Sequence, residues 1–272
     1  MSGPAGRLVI CPTPIGNLED ITLRTLGALR EASVIACEDT RTTKVLLDRH
    51  GVDGERVRYD AHAERRAAPR LVARMLAGEV VALVSDAGMP LVSDPGAVLV
   101  QAAIAAGLAI EVLPGPSAAL TALVASGLPA EVWRFVGFLP RKRGELEHVF
   151  GCEETIVAFE SPKRVAATLA VLAGLDSERP LAICRELTKR YEEVVRGSAG
   201  DLAARYASAE VRGEVVLVIG AATPGAADAG AAREAVATLI TSGAKPRAAA
   251  TVVAGLLGLS ANDLYRAVLE ES

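Results

Sequence analysis

Five carboxylates stand where strand-like apolar runs of this sequence end. They are Glu38, Asp39, Asp86, Glu160 and Glu186. Glu160 precedes Lys163 and Glu186 precedes Lys189, so that an acid and a cation lie close together in each segment. A carboxylate beside a cation can act as a general base toward a hydroxyl group while the cation stabilises the resulting oxyanion. The same pairs can equally be exposed salt bridges of little energetic value, and the spacing alone leaves both interpretations open.

The polar loops of the sequence share one position, directly after a strand-like run. They are Pro12–Asn17, Glu38–Arg41, Ser85–Gly88, Pro114–Ser117, Glu160–Arg164 and Glu186–Lys189. In open α/β sheets ligands bind outside the carboxyl ends of the strands, so these loops indicate a ligand site. The sequence contains neither a P-loop nor a GxGxxG motif, which disfavours a nucleoside triphosphate or a dinucleotide as the ligand.

The order of the elements predicts an α/β protein built from βαβ units, because apolar strand-like runs alternate with helical stretches. We expect an N-terminal α/β domain over residues 1–113 and a second over 114–222. A small-residue linker over 223–230 and a helical tail over 231–272 follow. Two sheets are expected to present their loop edges to a shared cleft.

Individual elements can be placed from caps and apolar runs. Arg7–Cys11 and Val80–Val84 are predicted strands, and the second is fully apolar, as in a sheet covered on both faces. Asp20 is a predicted N-cap, and Asp94 is predicted to cap a helix whose first residue is Pro95. A further helix is predicted to open at Ser161-Pro162.

Composition limits the class of protein. The chain has 272 residues, 51% of them hydrophobic, 3% aromatic, and a formal net charge of −4. It contains no apolar run of about 18 residues and no secretory signal, so a soluble cytoplasmic protein without a membrane partner is expected. Four cysteines without a CxxC pair and three histidines without ligand spacing predict no metal. The net charge argues against nucleic acid, whereas the basic run at Arg141–Arg143 allows local phosphate contact.

Several ordered motifs together resemble one family. They are PTPIGNLEDIT (12–22), CEDTR (37–41), VSDAGMPLVSDPG (84–96), LPGPSA (113–118), GFLPRK (137–142), ESPKR (160–164), RELTK (185–189) and GEVVLVI (213–219). Over nearly its whole length the chain resembles the bacterial small-subunit (16S) ribosomal RNA (cytidine-2′-O)-methyltransferases of the tetrapyrrole methylase superfamily. The tail at 244–270 is similar to the helix-turn-helix-like segment that ends many members.

The resemblance implies a two-domain methyltransferase that uses S-adenosylmethionine, binds it in the interdomain cleft and forms a homodimer. The implied cofactor-binding residues are Pro12, Pro14, Ser85, Asp86, Ala87, Met89, Ser117, Ala118, Glu160 and Leu187. Tetrapyrrole methylases proper carry a GxGxGD loop after the first strand, whereas this chain carries PTPIGN. That departure favours the RNA branch and leaves the contacts of the first loop less defined.

Transfer of a methyl group to a ribose hydroxyl requires alignment and is assisted by a general base. The candidate catalytic residues are Glu38, Asp39, Glu160 and Glu186 as base or orienting group. Positive charge is expected from Lys163, and also from Arg41 and Lys189. The candidate RNA-binding residues are Arg41, Arg141, Lys142, Arg143, Arg164 and Lys189. The alternatives are a small-molecule methylase of the same superfamily and a non-catalytic module that binds S-adenosylmethionine. Acidic and basic residues balance in the tail, which favours packing or a subunit contact over direct RNA binding.

Overall fold

The computed structural model describes residues 6–222, 226–257 and 259–270. Residues 1–5 at the start of the expected first domain, 223–225 of the expected linker, and 258 and 271–272 of the expected tail lie outside the described residues. The chain forms two compact units. The first contains residues up to Ala125 together with Cys184–Glu193, and the second contains Ser126–Ile183 and the chain from Val194 onward. The boundary at 113/114 remains a prediction.

The first unit is built on a five-stranded parallel sheet with the order β3-β2-β4-β1-β5. Its strands are β1 (Arg7–Cys11), β2 (Val34–Cys37), β3 (Arg56–Arg58), β4 (Val80–Val84) and β5 (Ala109–Val112). Its helices are α1 (Leu23–Glu31), α2 (Thr40–Arg49), α3 (Glu64–Leu76), α4 (Ala97–Ala105) and α5 (Ala118–Ser126). Because all the strands are parallel, their carboxyl ends and the loops that follow them share one edge of the sheet.

Apolar side chains cover both faces of this sheet. Alternate residues of β1, β2 and β4 pack on one face against α1 and α2, and the intervening residues pack on the other face against α3 and α4. This double burial explains why β4, and β1 after Arg7, are continuous apolar runs. Both strands have the bounds that the sequence predicts.

The second unit contains a five-stranded mixed sheet with the order β6-β7-β10-β8-β9. Its strands are β6 (Trp133–Phe138), β7 (Thr155–Glu160), β8 (Pro180–Arg185), β9 (Glu193–Ser198) and β10 (Val215–Ile219). Strands β6 and β7 are parallel, and β7 and β10 are antiparallel. Its helices are α6 (Arg143–Phe150), α7 (Val165–Leu175) and α8 (Ala199–Tyr206). The sequence prediction contains no counterpart of α6 or α8.

The expected tail is helical, with α9 (Ala226–Thr241), α10 (Pro246–Leu257) and α11 (Ala261–Glu270). These helices pack around a small core of their own that includes Val236, Val253 and Leu264. Ser260 accepts a hydrogen bond from the Asp263 backbone N–H at 3.4 Å, as expected of a helix N-cap. Among the described helices, none is both long enough and apolar enough to cross a bilayer.

The N-cap predicted at Asp20 is wrong. Leu18–Asp20 forms a short 3-10 turn, and α1 begins at Leu23. Thr22 caps α1, because its hydroxyl oxygen accepts a hydrogen bond from the Thr25 N–H at 3.1 Å. A threonine and an aspartate are both good N-caps, and the 3-10 turn decides between them by placing Asp20 before the helix.

The cap predicted at Asp94 is also wrong, and α4 begins at Ala97 instead of Pro95. The preceding loop is irregular, with φ values of +71° at Leu91 and +70° at Ser93. A non-glycine residue in this left-handed region is strained, and such strain concentrates at functional sites. Asp94 is therefore available for another role.

Two further boundaries differ from the prediction. Helix α7 begins at Val165 rather than at Ser161-Pro162, because a turn closed by the Arg164 N–H and the Ser161 carbonyl precedes it. Helix α9 begins at Ala226, so residues 226–230 of the expected linker are helical. Alanine is the strongest helix former, and it outweighs the linker-like composition here.

Candidate active site

The loops after β1 and β4 are joined by a short antiparallel bridge. Thr13 and Gly88 exchange backbone hydrogen bonds of 2.9 and 3.0 Å. The Thr13 hydroxyl donates to the Ser85 carbonyl at 3.0 Å, and the Ser85 hydroxyl donates to the Gly88 carbonyl at 3.1 Å. Gly88 has a φ of +79°, a conformation that glycine adopts without a steric penalty. The bridge therefore fixes the shape of the polar sheet edge at two of its loops.

The loop after β5 approaches the same edge closely. A Cβ at Gly115 would lie 2.6 Å from the Cβ of Pro12, a distance that real Cβ atoms do not show. Ser117 precedes α5, and its hydroxyl oxygen accepts from the Leu120 N–H at 3.5 Å. The first helical residue is Ala118. Gly115 is thus required for close approach, and it brings Ser117 and Ala118 to the edge formed by the first loop.

The segment after β8 braces the loop after β1. The Asn17 backbone N–H donates to the Thr188 hydroxyl oxygen at 3.0 Å, between residues 171 positions apart in sequence. A Cβ at Gly16 would lie 2.9 Å from the Leu187 carbonyl oxygen. The φ values of +51° at Glu186 and +63° at Thr188 show that this segment is strained. The buried Leu187 therefore lies beside the first loop, as part of the first unit.

A small pocket opens at this edge of the first unit. Its lining residues are Thr13, Pro14, Leu18, Thr42, Thr43, Leu46, Ser85 and Asp86. Pro14, Ser85 and Asp86 are predicted cofactor residues, so the structure brings these three together. Thr42 and Thr43 of α2 were not predicted, although their position directly after the CEDTR motif is a signal that points to them. The pocket therefore combines hydrogen-bonding side chains with the apolar side chains of Pro14, Leu18 and Leu46, and it can offer both kinds of contact to a small molecule.

The acids of the CEDTR segment have different environments. Asp39 is the N-cap of α2, and its carboxylate accepts from the Arg41 backbone N–H at 2.8 Å. The Arg41 guanidinium also donates to it and lowers the pKa of Asp39. Burial raises the pKa of Glu38, and the nearby Asp86 raises it further. Asp86, whose own pKa is raised by burial, accepts from the Asp39 N–H at 3.1 Å. Arg41 is thus paired with Asp39, and Glu38 has no hydrogen-bond donor among the described residues.

Asp94 is a member of this acidic group that the sequence interpretation missed. The pKa of Asp94 is raised to about 6. Burial is the largest cause and the negative charges of Glu38 and Asp86 contribute, while a hydrogen bond from the Ser85 side chain acts in the opposite direction. A carboxyl group that titrates near neutral pH in a polar site is typical of functional positions. The available signal was the repeated Ser-Asp pair at 85–86 and 93–94 within one loop. Because Ser93 and Asp94 also have the chemistry of a helix start, the sequence did not distinguish that role from a place in the site.

Glu186 and Lys189 form a local ion pair of 2.9 Å in the strained segment after β8. Both side chains are largely buried. Lys189 is a predicted RNA-binding residue and Glu186 a predicted base; the structure pairs the two with each other, and both roles stay predictions. Met89 is partly buried and packs against the core that α3 and α4 share with the sheet. The Ala87 carbonyl lies 3.4 Å from the Ser85 hydroxyl, as the more distant of two alternative acceptors.

The predicted residues of the second unit are of two kinds. Glu160 is fully buried and accepts hydrogen bonds from the Ser161 N–H at 2.7 Å and the Thr168 hydroxyl at 2.6 Å. Arg164 donates to the backbone carbonyls of Leu139 and Pro140 and lies 3.4 Å from the Glu160 carboxylate. These groups are engaged inside the second unit. The geometry therefore favours an internal role for Glu160 and Arg164 over contact with a ligand.

The other predicted cations of the second unit are exposed. Lys142 pairs with Glu145 at 3.1 Å, and Arg143 pairs with Glu147 at 2.7 Å, both along α6. Arg141 and Lys163 are exposed and have no acidic partner among the described residues. Exposed pairs of this kind contribute little to stability, so these side chains are available to a polyanion. The predicted site residues of the second unit that are exposed cations are therefore Arg141, Lys142, Arg143 and Lys163.

The cysteines that end β1 and β2, Cys11 and Cys37, are not suited to act as nucleophiles. Burial raises the pKa of the Cys37 thiol, and it raises that of Cys11 to about 12. A protonated buried thiol is inert as a nucleophile. Within the described parts of the chain, no group of three or more acidic, histidine or cysteine side chains has the arrangement of a metal site.

The known proteins that are similar to this chain all indicate the same family. The profile of the tetrapyrrole (corrin/porphyrin) methylases matches residues 7–203. The chain is 45% identical over 271 residues to the ribosomal RNA small subunit methyltransferase I of Mesorhizobium japonicum, covering 97% of this chain and 91% of that protein. It is 44% identical over 218 residues to the protein of the same name from Halalkalibacterium halodurans, covering 79% of this chain and 75% of that protein.

Solved structures share the fold. The uroporphyrin-III C-methyltransferase of Thermus thermophilus, in complex with S-adenosylhomocysteine, aligns with a TM-score of 0.57 and 23% identity. The alignment covers 79% of this chain and 97% of that chain. The family profile spans most of the chain, and the relatives match it at high identity. This chain therefore belongs to the tetrapyrrole methylase family.

Proposed function

We propose that this chain is an S-adenosylmethionine-dependent methyltransferase that modifies the RNA of the small ribosomal subunit, at the 2′-hydroxyl of a cytidine. The observation that carries the proposal is the similarity, over nearly the full length of both chains, to a protein named for methylation of small-subunit ribosomal RNA. The PTPIGN loop supports the RNA branch of the family. In the structure this loop is braced at both ends, by the bridge to Gly88 and by Thr188.

The polar edge of the first unit fits S-adenosylmethionine. Gly16 and Gly115 leave no room for a side chain, so backbone groups of three loops come close together beside a pocket. Backbone amides near the start of α5 can receive a carboxylate, because the first turn of a helix has unpaired N–H groups. The residues that would hold the cofactor are Pro12, Pro14, Ser85, Asp86, Ala87, Met89, Ser117, Ala118 and Leu187. When bound, S-adenosylmethionine supplies an activated methyl group.

We propose Glu38 as the group that accepts the proton of the ribose hydroxyl. Asp39 is committed to capping α2 and to Arg41, and its pKa is lowered. Glu160 is enclosed within the second unit, and Glu186 is paired with Lys189. Glu38 keeps an uncommitted carboxylate with a raised pKa at the polar edge. A general base is most effective when its pKa lies near the working pH, so the raised value favours this role.

RNA is proposed to meet the exposed cations of the second unit, Arg141, Lys142, Arg143 and Lys163. Their contacts would be to phosphates, because Lys and Arg bind phosphate oxygens without reading the bases. The overall negative charge favours a folded ribosomal particle over arbitrary RNA, since affinity for unstructured RNA depends on phosphate neutralisation. We place the protein in the cytoplasm, where ribosomal subunits are assembled.

A homodimer is part of the proposal. The first unit exposes apolar side chains at Val112 on the edge strand β5 and at Leu120 and Val124 on α5. Exposed apolar side chains are found at protein interfaces, so these three are the side chains that we propose to meet a second copy of the chain. Sedimentation equilibrium of the chain and of Leu120→Ser/Val124→Ser tests this part, and a wild-type monomer would contradict it.

The decisive experiment is transfer of labelled methyl groups to small ribosomal subunits isolated from a strain that lacks this activity. We expect incorporation into the RNA, at one cytidine ribose, and at least about 100-fold slower turnover by Glu38→Gln at saturating cofactor. Glu210→Gln is the matched control, because Glu210 is exposed and paired only with Arg212 in the second unit. A label found on a base, or only on a small-molecule acceptor, would refute the proposed reaction. Wild-type turnover by Glu38→Gln would refute the role of Glu38.

A further inference from the structure

A buried carboxylate in the second unit is satisfied by two hydrogen-bond donors and one ion pair. Glu160 ends β7, accepts from the Ser161 N–H and from the Thr168 hydroxyl, and lies 3.4 Å from the Arg164 guanidinium. A charge removed from water is unfavourable unless hydrogen bonds and an opposite charge replace the solvent. Thr168 is itself buried in α7. The two donors therefore fix the Glu160 side chain, and the Glu160 charge in turn orients Arg164.

Arg164 connects this carboxylate to the segment that precedes the basic run. Its two terminal nitrogens donate to the carbonyl of Leu139, at 3.0 Å, and to that of Pro140. Leu139 is also held by a 3.1 Å hydrogen bond from its N–H to the Phe159 carbonyl. A planar guanidinium can hold two carbonyls and face a carboxylate at once, whereas a lysine ammonium has no such fork. The backbone immediately before Arg141 is thus fixed by Arg164.

The cations that adjoin Leu139–Pro140 and Arg164 in sequence face solvent. Arg141 follows Pro140 directly, and it is exposed without an acidic partner among the described residues. Lys163 is exposed next to Arg164. The Arg164 side chain is only 27% exposed, and both of its terminal nitrogens already donate to backbone carbonyls. Arg164, which lies in the ESPKR motif, therefore links that motif by hydrogen bonds to the backbone of the GFLPRK motif.

We propose that Arg164, oriented by Glu160 and Thr168, is a positioning residue that fixes the backbone of Leu139 and Pro140, so that Arg141 is presented to an RNA phosphate. The inference rests on the proposed RNA substrate. It assigns Arg164 and Glu160 to RNA binding through the basic segment, without contact between either side chain and RNA or cofactor.

The first test separates positioning from direct phosphate contact by comparing Arg164→Lys with Arg141→Gln. Arg164→Lys keeps the charge and removes the fork, so we expect the KM for small subunits to rise about tenfold. The affinity for S-adenosylmethionine should stay within about twofold of wild type. Because Arg141 would lose its phosphate in both variants, the double variant should be no weaker than the weaker single variant. Each single variant should reduce the slope of log K against log salt by about 1.

The second test uses Thr168, which is too deeply buried to reach RNA. Thr168→Val removes the hydroxyl that holds Glu160, and we expect the KM for subunits to rise about threefold to tenfold with kcat little changed. Thr168→Ser keeps the hydroxyl and should restore the wild-type KM even if Thr168→Val unfolds in part. Arg134→Lys is the matched control, because Arg134 lies on β6 in an exposed pair with Glu154.

The inference is overturned if Arg164→Lys retains the wild-type KM, or if the losses in Arg141→Gln and Arg164→Lys add in the double variant. It is also overturned if Thr168→Val and Thr168→Ser raise the KM equally. These results leave the proposed function intact provided that the wild-type chain methylates the subunits. A wild-type chain that fails to methylate ribosomal RNA at all refutes the proposed function instead.

Discussion

Replacing Asp94 by asparagine should stabilise the folded chain at neutral pH and leave it unchanged in acid. Asp94 lies partly buried near Glu38 and Asp86, and its pKa is raised from 3.8 to about 6, chiefly by burial. The folded state therefore holds the proton of Asp94 more tightly than the unfolded state does. With respect to this group, stability is greatest below about pH 4, falls as the pH rises to about 6, and is constant above.

The magnitude follows from the two pKa values. A rise from 3.8 to about 6 corresponds to about 3 kcal/mol above neutral pH, at about 1.4 kcal/mol for each pKa unit. The side chain is only half enclosed, and solvent screening reduces this to about 1–1.5 kcal/mol. Asparagine keeps the shape and removes the charge, so Asp94→Asn should raise the free energy of unfolding by about 1 kcal/mol at about pH 7.5.

Two measurements check the reasoning. Urea unfolding of wild type and Asp94→Asn at about pH 4 and about pH 7.5 should give a difference that grows with pH. Titration of the side-chain carboxyl carbons by NMR should show one signal with a midpoint near 6 that is missing from Asp94→Asn. Asp53→Asn is the control, because Asp53 is exposed and distant from the acidic group in sequence. A difference that is the same at both pH values, or no midpoint above about 5, would refute the argument.

Four further substitutions test how the loops and the second unit are held. Gly115→Ala should lower the affinity for S-adenosylmethionine and the stability by about 1–3 kcal/mol, because the new methyl group overlaps a proline ring. Gly174→Ala in α7 meets open space and should stabilise by up to about 1 kcal/mol, as thermal unfolding will show. Arg179→Met should destabilise the second unit by about 2–4 kcal/mol in urea, since this buried guanidinium donates to three backbone carbonyls. Arg212→Met removes an exposed ion pair and should change the same midpoint by less than about 0.5 kcal/mol. Thr188→Val should weaken cofactor binding about threefold to tenfold by calorimetry while Thr188→Ser binds normally, and equal binding by both would exclude the brace.

Local sequence was sufficient for the elements whose burial is uniform. Strands β1 and β4 have the predicted bounds because a parallel strand covered on both faces is apolar along its buried length, which is Leu8–Cys11 in β1 and Val81–Val84 in β4. Boundaries set by competing hydrogen bonds were harder to predict. Asp20, Asp94 and Ser161 all have the chemistry of a helix start, yet none begins a helix, because a turn or a strained loop intervenes in each case.

The sequence by itself determined the α/β class, the polar loops after the strands and, through its ordered motifs, the family. Tertiary structure decided which of those polar side chains are available for chemistry. Glu160 is enclosed by Thr168 and Arg164, whereas Glu38 keeps an uncommitted carboxylate, although both follow an apolar strand in the same way. The availability of a carboxylate depends on donors brought to it by the packing of other elements. The contact between Asn17 and Thr188 shows the reason most directly, since 171 residues separate two groups that topology places 3.0 Å apart.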